Sequence, residues 1–419
     1  MRLNVTKFEL IRGLSGAFDL VSPQIVGHHK QVSYISARIA AQFGFDVNDQ
    51  LTTAMSGLVH DAGALRETSK DLLKLLDFES DDPRHAEVGF KLLGKFPAFA
   101  DIAKTVRYHH LSWSDGRGEE SGGDEVPIAS HIIHLADRIA VLVKREDVLT
   151  NAERIVERIN LSAGRKFHPQ LVEAFLDLAG QESFWFDLVF SKTPMLFWEN
   201  RTLVETVHLD MFEVVELTDI FSQIIDFQSH FTVTHSSGVA ASAQAIAKLS
   251  GFDEDDQRLL KISGFLHDLG KLAVPKEILE APRKLTQQEI NIVKSHSYFT
   301  FQILEKIPAF KKINRWASYH HEKINGEGYP FHLTGEEMDL GSKIIGVADV
   351  FTAITEDRPY RKGMSEKESL KILLKMAEDN ILDPSIVDVM ECHFNEINGA
   401  RCEAQKKTAY EYNRFMLDC

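Results

Sequence analysis

Apolar residues recur at helical spacing through much of the chain, and glycines mark where the pattern stops. Val239 to Leu249, VAASAQAIAKL, carries apolar residues at that spacing and halts at Gly251. Val32 to Phe43, VSYISARIAAQF, behaves alike and halts at Gly44. No stretch sustains a two-residue alternation between turn signals at hairpin spacing. The pattern predicts an all-α protein.

The pattern also repeats. Phe96 to His110, FPAFADIAKTVRYHH, parallels Ile307 to His321, IPAFKKINRWASYHH. Ser56 to Leu65 parallels Ser263 to Leu272, and Phe167 to Phe175 parallels Leu382 to Met390. Two tandem helical domains are expected, residues 1–195 and 196–419. The join between about Gly180 and Asp210 holds Phe184, Trp185, Phe186, Phe190, Phe197 and Trp198. A flexible tether would be rich in Gly and Ser, so these aromatics are expected to pack the two domains together.

With 419 residues, each half can bury its own core. The formal net charge is −15, which argues against nonspecific binding of long nucleic acid. It leaves room for a small anion held by a few local cations. Cys392, Cys402 and Cys419 show no zinc spacing and fit a reducing compartment. The N-terminus lacks signal-peptide features and no apolar run reaches a membrane span, so the expected setting is the cytoplasm. A homodimer is compatible with the sequence.

The repeat carries chemistry. In the second half the stations are His235, His267-Asp268, His296, His320-His321 and Asp349, at steps of 32, 29, 24 and 29 residues. In the first half they are His28, His60-Asp61, His85, His109-His110 and Asp137, at steps of 32, 25, 24 and 28. A lone His-Asp pair is usually structural, but five stations held in register are not coincidence. Mixed imidazole and carboxylate donors with open positions suit Fe, Mn or similar ions, with Ni among the alternatives, better than a closed zinc tetrahedron. Adjacent donor pairs suit two ions sharing a carboxylate, and two such ions can stabilise an in-line displacement at phosphorus.

The runs HDLGK (His267 to Lys271), HHEKINGEGYP (His320 to Pro330) and ADVFTAITEDRPYR (Ala348 to Arg361) resemble the signature of the HD-GYP family. Members of that branch of the HD superfamily hydrolyse cyclic dinucleotides. The tandem layout is similar to bacterial HD-GYP phosphodiesterases acting on 3′3′-cGAMP. The resemblance implies one metal held by His235, His267, Asp268 and Asp349. Asp268 would bridge to a second metal held by His296, His320 and His321. It implies catalysis by Asp268 with Lys271, the latter touching the scissile phosphate. Gly328, Tyr329 and Pro330 would shape the substrate mouth, and Arg358 and Arg361 would grip the other phosphate, as guanidinium forks do. Phe231 stands where some members carry a third-metal carboxylate, so two metals are expected, with His230 outside the ligand set. Asn325 replaces a frequent Asp in the loop.

The first copy lacks these surroundings. Ala64 stands in place of Lys271, no GYP follows His110, and no Arg-Pro-Tyr-Arg follows Asp137. Its set of His28, His60, Asp61, His85, His109, His110 and Asp137 is a candidate second metal site but not the expected catalytic one. His29 is expected to be a bystander. The function expected is a metal-dependent phosphodiesterase opening 3′3′-cGAMP, cyclic di-GMP or both. The alternatives are a non-hydrolysing receptor for the same ligand and an HD phosphohydrolase of mononucleotides.

Overall fold

A computed structural model describes residues 2–20, 27–66, 77–79, 82–144, 146–190, 206–226, 234–357 and 362–418. Helices dominate, as the periodicity predicts. Among the described residues, four short strands are added to them. Arg2–Thr6 lies beside Thr206–Asp210 in one two-stranded sheet, and Glu120–Ser121 pairs with Asp124–Glu125 in another. At two to five residues each, they are too short to leave an alternation signal.

The chain divides into two compact units. One is Thr6–Thr206; the other is Val207–Cys419 together with Met1–Val5. Each is built in the same order. A helix opens each, Lys7–Phe18 in the first unit and Met211–Asp226 in the second, and the strands that run into them, Arg2–Thr6 and Thr206–Asp210, fall almost wholly in the second unit. Glu9 and Glu213 fold back onto the backbone amides of Thr6 and Asp210 at the starts of these helices. The helices His28–Phe43 and His235–Leu249 follow, each beginning on a candidate ligand.

Next come Val47–Val59 and Glu254–Leu266, capped by the carboxylates of Asp46 and Asp253. They end on His60 and His267. The helix Gln287–Leu304, which carries His296, starts in a capping box of Thr286 and Glu289. Arg283 clamps the same glutamate with two hydrogen bonds of 2.7 Å.

The core of the first unit gathers Val32, Ile35, Ile132, Leu135, Phe167 and Phe175, among others. Phe184 and Trp185 belong to it too, both essentially inaccessible. This corrects their assignment to a domain-joining surface. Their rings meet Tyr34 and Phe175 within the first unit, because the helix Glu182–Phe190 folds back onto its own domain. Phe197 and Trp198 lie outside the described residues.

Candidate metal centres

In the second unit three of the histidines share one anchoring device. His267 Nδ1 donates to Gly264 O at 2.7 Å, His296 Nδ1 to Val293 O at 2.5 Å, and His320 Nδ1 to Ala317 O at 2.7 Å. Each acceptor is the carbonyl three residues back. A ring that donates from Nδ1 keeps its lone pair on Nε2, the atom left to bind a metal. His235 is held by a carboxylate instead. Its Nδ1 faces Glu356 Oε1 at 3.1 Å, and Gln405 Nε2 donates to the other oxygen of that buried carboxylate at 3.1 Å.

The Nε2 atoms converge on the carboxylates. His235 Nε2 lies 3.1 Å from Asp349 Oδ1, and His267 Nε2 lies 3.9 Å from the same oxygen. Asp268 divides its two oxygens: Oδ2 is 3.1 Å from His267 Nε2, and Oδ1 is 3.5 Å from His296 Nε2. That division is what a bridging carboxylate needs. Gly270 makes it geometrically feasible. A Cβ there would lie 1.9 Å from His296 O, so only glycine lets the HDLGK turn lie against the helix bearing His296.

The donor set fits divalent cations. His296 Nε2 and His320 Nε2 stand 3.1 Å apart. With both Nδ1 protons committed to carbonyls, two lone pairs face each other, an arrangement that a cation between them relieves. His267 Nε2 and Asp268 Oδ1 are buried without a hydrogen-bond partner, which is costly unless something else satisfies them. Ligand atoms of His235, His267 and Asp268 form one group within 4.8 Å of one another, and those of His296, His320 and His321 form a second.

Electrostatics prepare the same state. Burial lowers His296 to about 3 and, against the pull of Asp349 and Asp268, His321 to about 4, so both are neutral ligands at pH 7. Burial opposes ionisation of Asp268 and Asp349, but His267, Lys271 and His235 outweigh it and hold both carboxyls well below the usual range. His235 is the exception: burial would lower it, yet Glu356 and Asp349 override this and raise the ring to about 10, so at pH 7 it carries a proton on Nε2 that a metal would displace.

Lys271 and the loop complete this site. Lys271 Nζ lies 2.5 Å from Asp268 Oδ2. The Tyr329 ring sits 4.9 Å from His321, and Tyr329 N donates to His321 O at 3.2 Å. Gly328 is required, because a Cβ would fall 2.4 Å from Glu322 Cα and Lys323 N. The buried Glu322 ties the far side of the loop by accepting from Phe331 N at 2.7 Å and Leu333 N at 3.0 Å. Pro330 follows Tyr329 within this anchored turn. Asn325 Oδ1 accepts from Glu327 N at 3.0 Å, a turn that an aspartate would make equally well. Arg358, Arg361, Phe231 and His230 lie outside the described residues.

The first unit repeats the constellation. His28 Nε2 is 3.0 Å from Asp137 Oδ1, and His60 Nε2 is 3.2 Å from Asp61 Oδ2. His85 Nε2 is 3.1 Å from Asp61 Oδ1, 3.2 Å from His109 Nε2 and 3.0 Å from His110 Nε2. His60 and His109 again donate from Nδ1 to the carbonyls of Gly57 and Val106. Three differences stand out. Ala64 replaces the lysine. The buried Arg138 grips Asp137 Oδ2, where the second unit has Val350. His29, expected to be a bystander, is buried, and its Nε2 lies 3.9 Å from Asp61 Oδ2.

Sequence reasoning missed Glu356, Gln405, Glu322 and Arg138. Glu356 had a signal. It lies seven residues beyond Asp349, two helical turns on and the same face.

Comparison with known proteins agrees with this geometry. The HD domain model matches residues 25–142, and a second model described as an HD domain matches residues 219–386. The chain is 30% identical to the 3′3′-cGAMP-specific phosphodiesterase 1 of Vibrio cholerae, over 90% of this chain and 89% of that one. It belongs to the HD-GYP family of cyclic dinucleotide phosphodiesterases, in the tandem HD form. Two further relatives fit the HD-GYP assignment. The 3′3′-cGAMP-specific phosphodiesterase 3 of Vibrio cholerae is 29% identical over 81% of this chain and 74% of its own. A cyclic di-GMP phosphodiesterase of Pseudomonas aeruginosa is 37% identical over 37% of each chain. The crystal structure of a cyclic GMP-AMP-specific phosphodiesterase of V. cholerae, V-cGAP3, shares the fold. Its TM-score is 0.64 at 24% identity, covering 94% of this HD-GYP chain and 98% of that one. Among the described residues, no helix is long and apolar enough to cross a membrane.

Proposed function

We propose that the second domain hydrolyses a 3′,5′-phosphodiester of a cyclic dinucleotide, with 3′3′-cGAMP accepted and cyclic di-GMP the other candidate. The observation that carries this is the pairing of Lys271 with Asp268 beside a loop anchored on His321, a combination that the first domain lacks. The near full-length likeness to a 3′3′-cGAMP-specific enzyme supports the choice of substrate.

His235, His267, Asp268 and Asp349 would hold one divalent ion, and Asp268, His296, His320 and His321 the other, with Fe or Mn the preferred identities. Such ions polarise phosphate oxygens and acidify water when bound. The remaining work falls to the chain. Water attacks one phosphorus, the bond from phosphorus to the sugar 3′ oxygen breaks, and that oxygen takes up a proton. The product is a linear dinucleotide ending in a 5′-phosphate. Lys271 brings a positive charge to the side of Asp268 where the scissile phosphate and the leaving oxygen gain negative charge. Tyr329 covers His321 and narrows the mouth. Arg358 and Arg361, just beyond Glu356, would hold the second phosphate and so select a ligand with two.

The test is turnover of the Mn- or Fe-loaded full chain on 3′3′-cGAMP and cyclic di-GMP side by side, with products weighed by mass spectrometry. Linear dinucleotide is the expected product. Metal-loaded protein that binds both ligands without cutting them would make it a receptor. Hydrolysis of mononucleotides alone would make it a generic HD phosphohydrolase.

A further inference from the structure

The two domains differ at the carboxylate that the constellation is built around. In the second domain Lys271 Nζ lies against Asp268 Oδ2. In the first, Ala64 brings no charge to the corresponding oxygen of Asp61, and an imidazole faces it instead. His29 Nε2 is 3.9 Å from Asp61 Oδ2, beside His60 Nε2 at 3.2 Å from that oxygen. The residue matching His29 in the second domain is Ser236, one past His235.

The surroundings of His29 are those of a ligand. Its side chain is 1% exposed. Its Nε2 is buried with no hydrogen-bond partner. Ligand atoms of His29, His60 and Asp61 lie within 4.8 Å of one another. Nδ1 points toward Asp19 Oδ1 at 3.6 Å, and Asp19 is itself fixed by Lys30 at 2.8 Å and by the amide of Gly27 at 3.2 Å. A carboxylate behind one ring nitrogen with the other aimed at a donor cluster is the arrangement that orients metal-binding imidazoles. Glu356 stands in the same relation to His235.

We propose that His29 is a metal ligand of the first domain, taking at Asp61 the place that Lys271 takes at Asp268. The first domain then holds a divalent transition ion in a centre filled by protein side chains. A filled coordination sphere suits retention of an ion, whereas hydrolysis needs an open position. Arg138 adds to this by occupying the second oxygen of Asp137.

The test uses the full chain carrying Asp268→Ala, which removes the bridging ligand of the second domain. Co(II) is titrated into stripped protein, and its visible absorption and affinity are read. This protein is expected to bind Co(II) through the first domain. Adding His29→Ser, the residue of the second domain, should weaken that binding by at least about tenfold, with a changed Co(II) spectrum. Asp19→Asn, which touches the ring only from behind, should weaken it by about tenfold as well, and it decides the matter if His29→Ser does not fold. Titrations indistinguishable from the Asp268→Ala parent, or a parent that takes up no Co(II), would overturn the proposal. No readout involves turnover, so failure here is separate from failure of the phosphodiesterase reading.

Discussion

The first and second domains carry nearly the same donors in the same order, yet only one has the surroundings of a hydrolase. Both hold histidines through Nδ1 onto carbonyls three residues back, and both set an aspartate between two groups of rings. The second adds Lys271 and a loop pinned by Glu322. The first replaces these with Ala64, His29 and Arg138. A ligand set therefore specifies a metal centre, and the residues one step outside it specify what that centre can do.

Lys271→Ala makes the second domain resemble the first at this point. Turnover should fall by about 10²–10³-fold, mostly in kcat, while metal content stays unchanged. Equal losses of metal and rate would mean that Lys271 positions Asp268 and does no more. Glu356→Gln weakens the grip on His235 while keeping its volume. Metal affinity or activity should drop by about 10–100-fold, and a variant matching wild type in both would remove Glu356 from the account.

The smallest effect is on stability against pH, where the two domains should behave alike. His109 and His131 in the first, and His321 in the second, are lowered to about 4 by burial, and His296 to about 3. Their folded values lie below the unfolded value near 6.5, so the unfolded chain binds more protons between the two. Stability of stripped protein should fall as pH drops from about 6.5 toward 4. Burial also works against His60 and His235, but carboxylates raise them to about 9 and 10. Their contribution is full below 6.5 and is lost as pH climbs through those values. Thermal unfolding of stripped protein should peak near neutral pH; a midpoint constant from pH 4 to 6.5 would contradict the burial of neutral imidazoles.

Much of this could be read from sequence, because helical periodicity and spaced donors are local or repeated signals. The stations from His235 to Asp349 meet in space because the repeat conserves the spacing between helices. Glu356 was legible in principle from its two-turn offset. Gln405 was not, since it reaches Glu356 from the C-terminal helix across 49 residues. The sequence singles out His28 over His29, because adjacent helical residues diverge by about 100° and only His28 keeps the register. The structure shows both rings reaching the cluster from the first turn of one helix. The short strands left no pattern to find, and the aromatic helix after Gly180 could not reveal from composition which core it joined.

The most direct test of the division between the two domains is turnover of Asp268→Ala and Asp61→Ala, measured side by side on 3′3′-cGAMP. Asp268→Ala should lose activity by about 10⁴-fold or more, the scale of disabling a whole catalytic unit. Asp61→Ala should keep most of its turnover. Collapse of activity in Asp61→Ala with Asp268→Ala left active would place the chemistry in the first domain and contradict the account.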